Sequence, residues 1–395
     1  MRVLFLFTFA ISVYASTISL EDILLRVKNE HPVVKSIDAS KESYSAKNSA
    51  LSSRRAVEFF VEGAKAKQNS QGHKSEFSIG FEQTFVNPSV LESRINAASY
   101  RSDAQLLKLK QDFLLLENNI RFFYHLNCLD KKSVQEYEAL YSSFEKLYAK
   151  KEKAYKYGEI SKKELLQLSL DLKRLKMEFD DYKREEKISR NTLQSKLQLI
   201  SFDKEELLCD DMYKLTEKVA TNVLKTTYEE RIIEKNIKSV ESDYKSFDAL
   251  FENYSLSASY QNEIDTDRVM VGFSIPLNFT TTYNERKRAE ALHKKSAFVY
   301  EKEALKLKKL FEREALEKAL AQNFKKIETL SSILNQYEND LVPLIEREYR
   351  LGEDSVTEFL LSQRQIWLIK KELNQYNKSY YRYLFDLYSY LEIKE

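Results

Sequence analysis

The sequence predicts a mainly α-helical chain with a small β part: long coiled-coil helical hairpins plus four short strands, written as an internal two-fold repeat. Three observations carry this. The chain has six glycines and four prolines in 395 residues, with 63 basic and 61 acidic side chains interspersed, a composition of long helices and not of turn-rich globules. One short Gly-centred phrase occurs twice, half a chain apart: YKYGEISKKELL at Tyr155–Leu166 and YRLGEDSVTEFL at Tyr349–Leu360. Two segments switch to apolar alternation, through Phe77, Ile79 and Phe81 and through Val269, Val271, Phe273 and Ile275, the period of a strand with one apolar face.

The first residues, MRVLFLFTFAISVYAS, give a basic start, an apolar run and small residues before Ser16. That is the pattern of a secretory signal peptide over residues 1–15, too short to span a membrane as a stable helix. Ser16 is not a cysteine, so no lipid anchor is expected there. In an exported chain the cysteines Cys128 and Cys209 are candidates for a disulfide. Closing a loop of that length would contribute roughly 4 kcal/mol in the chain-entropy model; whether the two meet depends on the fold.

The repeat divides the mature chain into residues 16–210 and 211–395. Ile79–Phe81 matches Val271–Phe273, and Arg94–Ala97 matches Arg286–Ala289. Each copy should open with a short helix. In the first it is Ser19–His31, started by a capping box at Ser19 and Asp22 and stopped before Pro32; its counterpart is expected at Asp211–Asn222. A polar helix follows, Val33–Arg55 and Thr227–Asp248, and then a β-hairpin, 57–86 and 251–279. In each hairpin a weaker strand (Val57–Lys67, Phe251–Gln261) precedes the clearly alternating one, across a polar link.

From about Ser89 to Tyr157, and from about Asn284 to Leu351, there is no glycine. At 1.5 Å per residue such a helix is a rod of roughly 100 Å. The second shows a heptad seam at Leu320, Ile327, Leu334 and Leu341, with a kink expected at Pro343. Gly158 and Gly352 fall where each rod should stop, in the left-handed cap position. Ser161 with Glu164, and Ser355 with Glu358, form S-x-x-E boxes that start a helix. Each phrase therefore reads as stop, turn, start: the tip (158–161, 352–355) of a helical hairpin. The returning helices are expected at Lys162–Leu199 and Val356–Leu391, the latter with Phe359, Ile366, Leu373, Tyr380 and Leu387 in heptad register.

Strands of about ten residues span a bilayer when tilted. Phe77, Ile79, Phe81, Val269, Val271, Phe273 and Ile275 are placed on a lipid face, with small and polar residues alternating between them. Four strands cannot close a membrane barrel, and open edges are not tolerated in lipid. Copies of the chain are therefore expected to pool their strands into one barrel, carried by a collar of long helices.

With these elements in this order, the chain resembles the TolC-type outer membrane efflux protein family, in its CusC/CzcC-like and TolC-like branches. SLEDILLRVKNEHPVVKSIDASKE is similar to the family's opening segment, FSIGFEQTF and VGFSIPLNF to its strand-to-helix exits, and YKYGEIS and YRLGEDS to its two periplasmic tips. The resemblance covers the whole mature chain. It implies a homotrimer with a twelve-stranded barrel in the outer membrane and a helical tunnel across the periplasm. It also implies partnership with a periplasmic adaptor (membrane fusion protein) and an inner-membrane transporter, exporting drugs, metal ions or, as a type I secretion duct, proteins. Carried over, the adaptor-docking positions are Gly158, Ser161, Gly352 and Ser355. The gate positions are Tyr349, tied to Glu164, and Glu358 in an acidic ring; the family's second ring is missing, because Leu361 stands there. Glu164 and Glu358 equally fit the capping positions, where they would bond their own backbone.

The sequence argues against other classes. His31, His73, His125 and His293 lie far apart, none has metal-ligand spacing with the cysteines, and there is no nucleophile motif or phosphate loop. No enzyme activity, cofactor or metal is expected. A net charge of +2 without a long basic run gives no case for nucleic acid. The alternative from another class is a periplasmic coiled-coil adaptor or structural protein, but the glycine-bearing β-domains it would need are missing.

Overall fold

The computed structural model describes residues 17–68, 72–199, 202, 205–219, 226–263, 266–276, 282–351 and 356–390, with the backbone alone at 66–68, 72–74, 349–350 and 356–359. The expected leader (1–15) and the second-tip residues Gly352 and Ser355 lie outside this set. The elements in order are β1 (Thr17–Ile18), α1 (Leu20–Glu30), α2 (Pro32–Ser52), β2 (Glu58–Gln68), β3 (Gly72–Val86), α3 (Pro88–Lys156), α4 (Lys162–Leu197) and β4 (Glu206–Leu207). Then come α5 (Tyr228–Ser246), β5 (Asn253–Asn262), β6 (Asp267–Ser274), α6 (Tyr283–Gln336), α7 (Val342–Leu351) and α8 (Val356–Leu387). The chain divides into two compact units, one of residues 36–112 and 225–309, the other of the described parts of 1–35, 113–224 and 310–395. Each unit draws on both sequence copies.

The first unit holds the main sheet, four antiparallel strands in the order β2-β3-β5-β6. The two hairpins are joined through β3 and β5, so the repeats pair edge to edge. Asn87 fixes the exit into α3: its backbone N–H donates to Glu252 O at 2.9 Å, its side-chain amide to Phe251 O at 3.1 Å, and Arg94 pairs with Glu252. Beside the sheet, α5 is laced to α3 and α6 by Arg101–Asp243, Lys235–Asp103, Lys302–Glu234 and Lys295–Glu241. Each such half-exposed pair contributes no more than about 1 kcal/mol; their value is in setting the helix register. One expectation fails here. Ile275 lies past the end of β6, which stops at Ser274 opposite Ser255. Pro276, with no N–H to give a ladder, follows immediately.

In the second unit α1 starts on the expected capping box, the Asp22 N–H donating to Ser19 Oγ at 3.1 Å and Asp22 accepting from the Ser19 N–H. Ile23 and Val27 bury against Ile120, Tyr124, Leu193, Leu197 and Leu207, and β1 pairs in parallel with β4. Cys128 and Cys209 are joined as a disulfide, their Cα atoms 5.4 Å apart. A second core gathers Leu129, Leu320, Ile327, Tyr380, Leu384 and Phe385, so the heptad positions Leu320, Ile327 and Tyr380 meet as their spacing predicts.

Two differences have clear causes. The helix expected at Asp211–Asn222 does not form: Cys209–Asp211 makes one 3₁₀ turn and the described residues 212–219 are non-helical. Side chains from distant helices take this segment's backbone groups. The Tyr213 N–H donates to His125 Nε2, the Thr216 N–H donates to Tyr380 Oη, and Tyr380 and Tyr381 hydroxyls donate to Thr216 O and Tyr213 O. With those partners supplied, a helical ladder offers nothing more. The kink expected at Pro343 is a single wide π turn over Tyr337–Leu341 between α6 and α7, closed by Val342 N–H on Tyr337 O. It absorbs the donor that proline lacks. Leu341 and Leu344 are exposed there, so the seam opens where the helix widens.

Candidate functional site

Cross-strand register sorts the sheet into two faces. On one, Phe59 pairs with Phe81 and Val61 with Ile79. The row continues through Phe81 with Ala258, Ile79 with Tyr260 and Phe85 with Tyr254. It ends in Leu256 with Phe273, Ala258 with Val271 and Tyr260 with Val269. Phe59 and Phe81 rings lie 5.2 Å apart, and Phe85 and Tyr254 stack at 5.3 Å. The expected lipid-face residues Phe77, Ile79, Phe81, Val269, Val271 and Phe273 thus share one side, and they are exposed: Val269 and Val271 by 80% and 82%. Sequence reasoning missed Phe59, Val61, Tyr254, Leu256 and Tyr260: in β2 the apolar Phe59, Phe60 and Val61 are consecutive, which hides the period, whereas β5 alternates strictly, with Ser255, Ser257 and Ser259 between its apolar residues. Their strand assignment was the available signal.

The opposite face carries Glu58, Glu62, Glu76, Glu82, Ser78, Thr84, Ser255, Ser257 and Ser259, with Thr84 Oγ1 and Ser255 Oγ at 3.2 Å. Gly80 sits there under the Phe60 ring and beside Ser259. A Cβ at Gly80 would meet Phe60 Cζ at 2.5 Å and Ser259 Cβ at 2.7 Å, so glycine is needed for the close approach of three strands.

At the first tip the stop-turn-start reading is realised. Gly158 has φ +78°; its N–H reaches Tyr155 O at 3.0 Å and the Glu159 N–H reaches Ala154 O at 3.0 Å, the paired bonds of a Schellman cap. Ser161 then caps α4: the Glu164 N–H donates to Ser161 Oγ at 3.2 Å, and Glu164 Oε2 accepts from the Ser161 N–H at 2.9 Å. Glu164 is therefore held by its own cap. Tyr349 and Glu358 lie on described backbone, in α7 and α8, but their side chains lie outside the described residues, as do Gly352 and Ser355. Leu361 is half exposed one turn beyond Glu358. Among the described residues no group of His, Cys, Asp or Glu could hold a metal ion, and no helix is long and apolar enough to cross a membrane.

The electrostatics of the helical unit are those of packing. Burial holds His125 down at about 4 and pushes Tyr182 and Tyr388 up to about 12. The Tyr137 hydroxyl is raised by burial and by its hydrogen bond to Glu178.

No family model and no curated protein match the chain. Solved structures do. The Campylobacter jejuni CmeC outer membrane channel aligns with a TM-score of 0.73 at 14% identity, over 95% of this chain and 87% of that one. CusC, whose structures concern folding and transmembrane channel formation, aligns with a TM-score of 0.76 at 16% identity, over 95% and 94%. The Vibrio cholerae outer membrane protein VceC aligns with a TM-score of 0.73 at 13% identity, over 93% and 94%. The fold is thus that of outer membrane channel proteins, long helical hairpins carrying a small sheet, as the resemblance read from the sequence implies.

Proposed function

We propose that the chain is one subunit of a homotrimeric exit duct in the outer membrane, carrying substrates of an efflux pump from a periplasmic adaptor and inner-membrane transporter to the exterior. The observation that carries this is the main sheet: one face is mostly exposed apolar and aromatic side chains, broken by Gln83, and the other is mostly serine, threonine and glutamate, with Phe60 and Met270 among them; β2 and β6 are the edges. In lipid the backbone groups of those edges need partners, and only closure into a barrel supplies them. Three copies close twelve strands around a polar lumen. The helices carry a matching sign of association. Leu166, Leu170 and Met177 are exposed by 59%, 58% and 70% at spacings that put them on one face of α4, which suits a neighbouring copy. The likeness to solved outer membrane channels supports the same reading. In it the helices form a periplasmic tunnel, and the tips meet the adaptor.

The test is assembly and conduction. The protein extracted in mild detergent should have the mass of a trimer by light scattering and form pores in planar bilayers. A monomer that stays in solution without detergent and passes no current would sink the reading in favour of a soluble coiled-coil adaptor.

A further inference from the structure

The strand register sorts the charges of the first hairpin by face. On β2 and β3 the glutamates Glu58, Glu62, Glu76 and Glu82 all fall on the polar face. The row of Phe59, Val61, Ile79 and Phe77 holds no acid. Beyond Gly63, which lies opposite Phe77, that row continues into Lys65 opposite Ser75, and then into the register positions Lys67 and His73. The two hairpins also differ in length. β3 pairs with β5 only over 77–86, so residues 72–76 and their partners on β2 run past the second hairpin as a two-stranded ribbon. The second hairpin closes its apolar row at Tyr260, then Asn262 opposite Asp267, whose carboxylate accepts from Asn262 Nδ2 at 2.6 Å. Lys65 lies one row farther out, roughly 7 Å along the strand. Its side chain is exposed and has no ion-pair partner among the described residues. From Phe85 to Phe77 the apolar row covers roughly 26 Å along the strand. Tilted by about 40°, that spans roughly 20 Å, most of the apolar belt of a membrane barrel. The lysine row therefore begins where the apolar belt ends.

We propose that this row binds the phosphate groups of an outer-leaflet lipid, its acyl chains lying along Val61, Ile79 and Phe77 and its phosphates at the lysine positions 65 and 67. This rests on the duct reading, which puts the apolar face in lipid and the turn of the hairpin at the outer surface. A lysine at the end of an apolar row reaches the headgroup level along its own methylenes, and each lysine beside an anionic lipid surface adds attraction. A site for a soluble anion would have no reason to lie in line with an apolar row. The same two strands keep their acids on the other face, where they do not repel a phosphate on this one. The second hairpin offers Asp267 and no cation on this row, so the lipid is held at β2 and β3.

The full-length protein in uncharged detergent is titrated with lipid A carrying both phosphates and with the same lipid dephosphorylated, bound lipid being counted by native mass spectrometry. The phosphorylated form should bind roughly five- to twentyfold more tightly, about fivefold per lysine. Lys65→Gln with Lys67→Gln should erase that preference, and Lys65→Arg with Lys67→Arg should keep it. Lys74→Gln, at a register position on the opposite face, should leave it unchanged. Inorganic phosphate should compete with lipid A no better than chloride at equal ionic strength. Pores of the glutamine double variant in planar bilayers should match those of the wild type. A wild-type protein that forms pores yet binds both lipids equally overturns the proposal and leaves the duct standing; one that forms no pore overturns both. Specific competition by inorganic phosphate would make the row a soluble-anion site instead. A preference that survives in the glutamine double variant would place the phosphate elsewhere, and loss of the trimer in that variant would turn the lysines into a contact between copies.

Discussion

His125 Nε2 accepts a hydrogen bond from the Tyr213 backbone N–H at 2.9 Å, while its Nδ1 faces Arg121 O at 2.7 Å. The two partners fix the ring as the neutral Nδ1–H form, since only an unprotonated Nε2 accepts. The ring is fully buried and packed against Tyr381 and Phe385 at 4.5 and 5.1 Å. One histidine thus holds the segment that leads from the first sequence copy into the second.

A pH dependence follows. Burial lowers the folded-state value of His125 to about 4, against about 6.5 when unfolded. Between those values the unfolded chain binds the extra proton, so stability is full above about pH 6.5 and falls as pH drops towards 4, by up to ~3 kcal/mol. Apparent melting followed by circular dichroism should decline over that window. His125→Phe should flatten the decline while costing stability at pH 7, because the Tyr213 N–H loses its acceptor. An unchanged slope in that variant would place the titration elsewhere.

The disulfide fastens the same segment a few residues earlier. Tyr124 Oη donates to Leu208 O, next to Cys209. Reduction, or Cys128→Ser with Cys209→Ser, should lower stability by roughly 4 kcal/mol in the chain-entropy model and leave helix content in place. Melting with and without reductant checks this, the double variant serving as the reductant-insensitive control.

The sheet predicts an asymmetry between its faces. Phe273→Arg puts a charge on the apolar face and should cost roughly 2–4 kcal/mol at the bilayer midplane, enough to deplete assembled protein from the outer membrane. Glu62→Arg, on the polar face, should assemble normally and shift ion preference away from cations. If the two variants assembled equally well, the face assignment would be wrong.

Much of this architecture is legible in sequence because its signals are local. Ser19 with Asp22, Gly158, and Ser161 with Glu164 each act within a few residues, and the structure realises each. The alternation at Phe77–Phe81 and Val269–Phe273 likewise marks the two clearer strands. What was not legible depends on partners far along the chain. The segment after Asp211 has helical-looking composition, yet His125, Tyr380 and Tyr381 take its backbone groups from helices roughly ninety to one hundred and seventy residues away. The pairing of β3 with β5, which completes the apolar face, is equally non-local.

The first tip offers a test of docking against capping. Gly158 at φ +78° has open space where a Cβ would lie, so Gly158→Val meets only backbone strain, about 1–2 kcal/mol. Ser161→Ala should cost a similar ~1 kcal/mol through the lost cap. Both should leave assembly intact. Loss of export in Gly158→Val with normal assembly, and restoration by Gly158→Asn, which tolerates the left-handed region, would assign the tip to the adaptor. Loss of assembly instead would make it structural.

The last prediction concerns the entrance. Glu164 bonds the Ser161 N–H and hydroxyl, so a tie from Tyr349 has to compete with a formed cap. A single hydrogen bond to a carboxylate contributes roughly 1.5–3 kcal/mol, little more than the cap it would displace. Tyr349 is therefore expected to hold the entrance only as one of several ties. Glu358 occupies the N-terminal turn of α8, and in a trimer three such carboxylates would favour cations at a constriction. In planar-bilayer recordings Glu358→Gln should reduce cation preference, and Tyr349→Phe should raise conductance or open probability modestly. Glu164→Gln separates the roles at the first tip: a glutamine still caps, so a conductance change there would reveal a charge acting on the entrance, whereas wild-type currents in all three variants would confine these residues to helix capping.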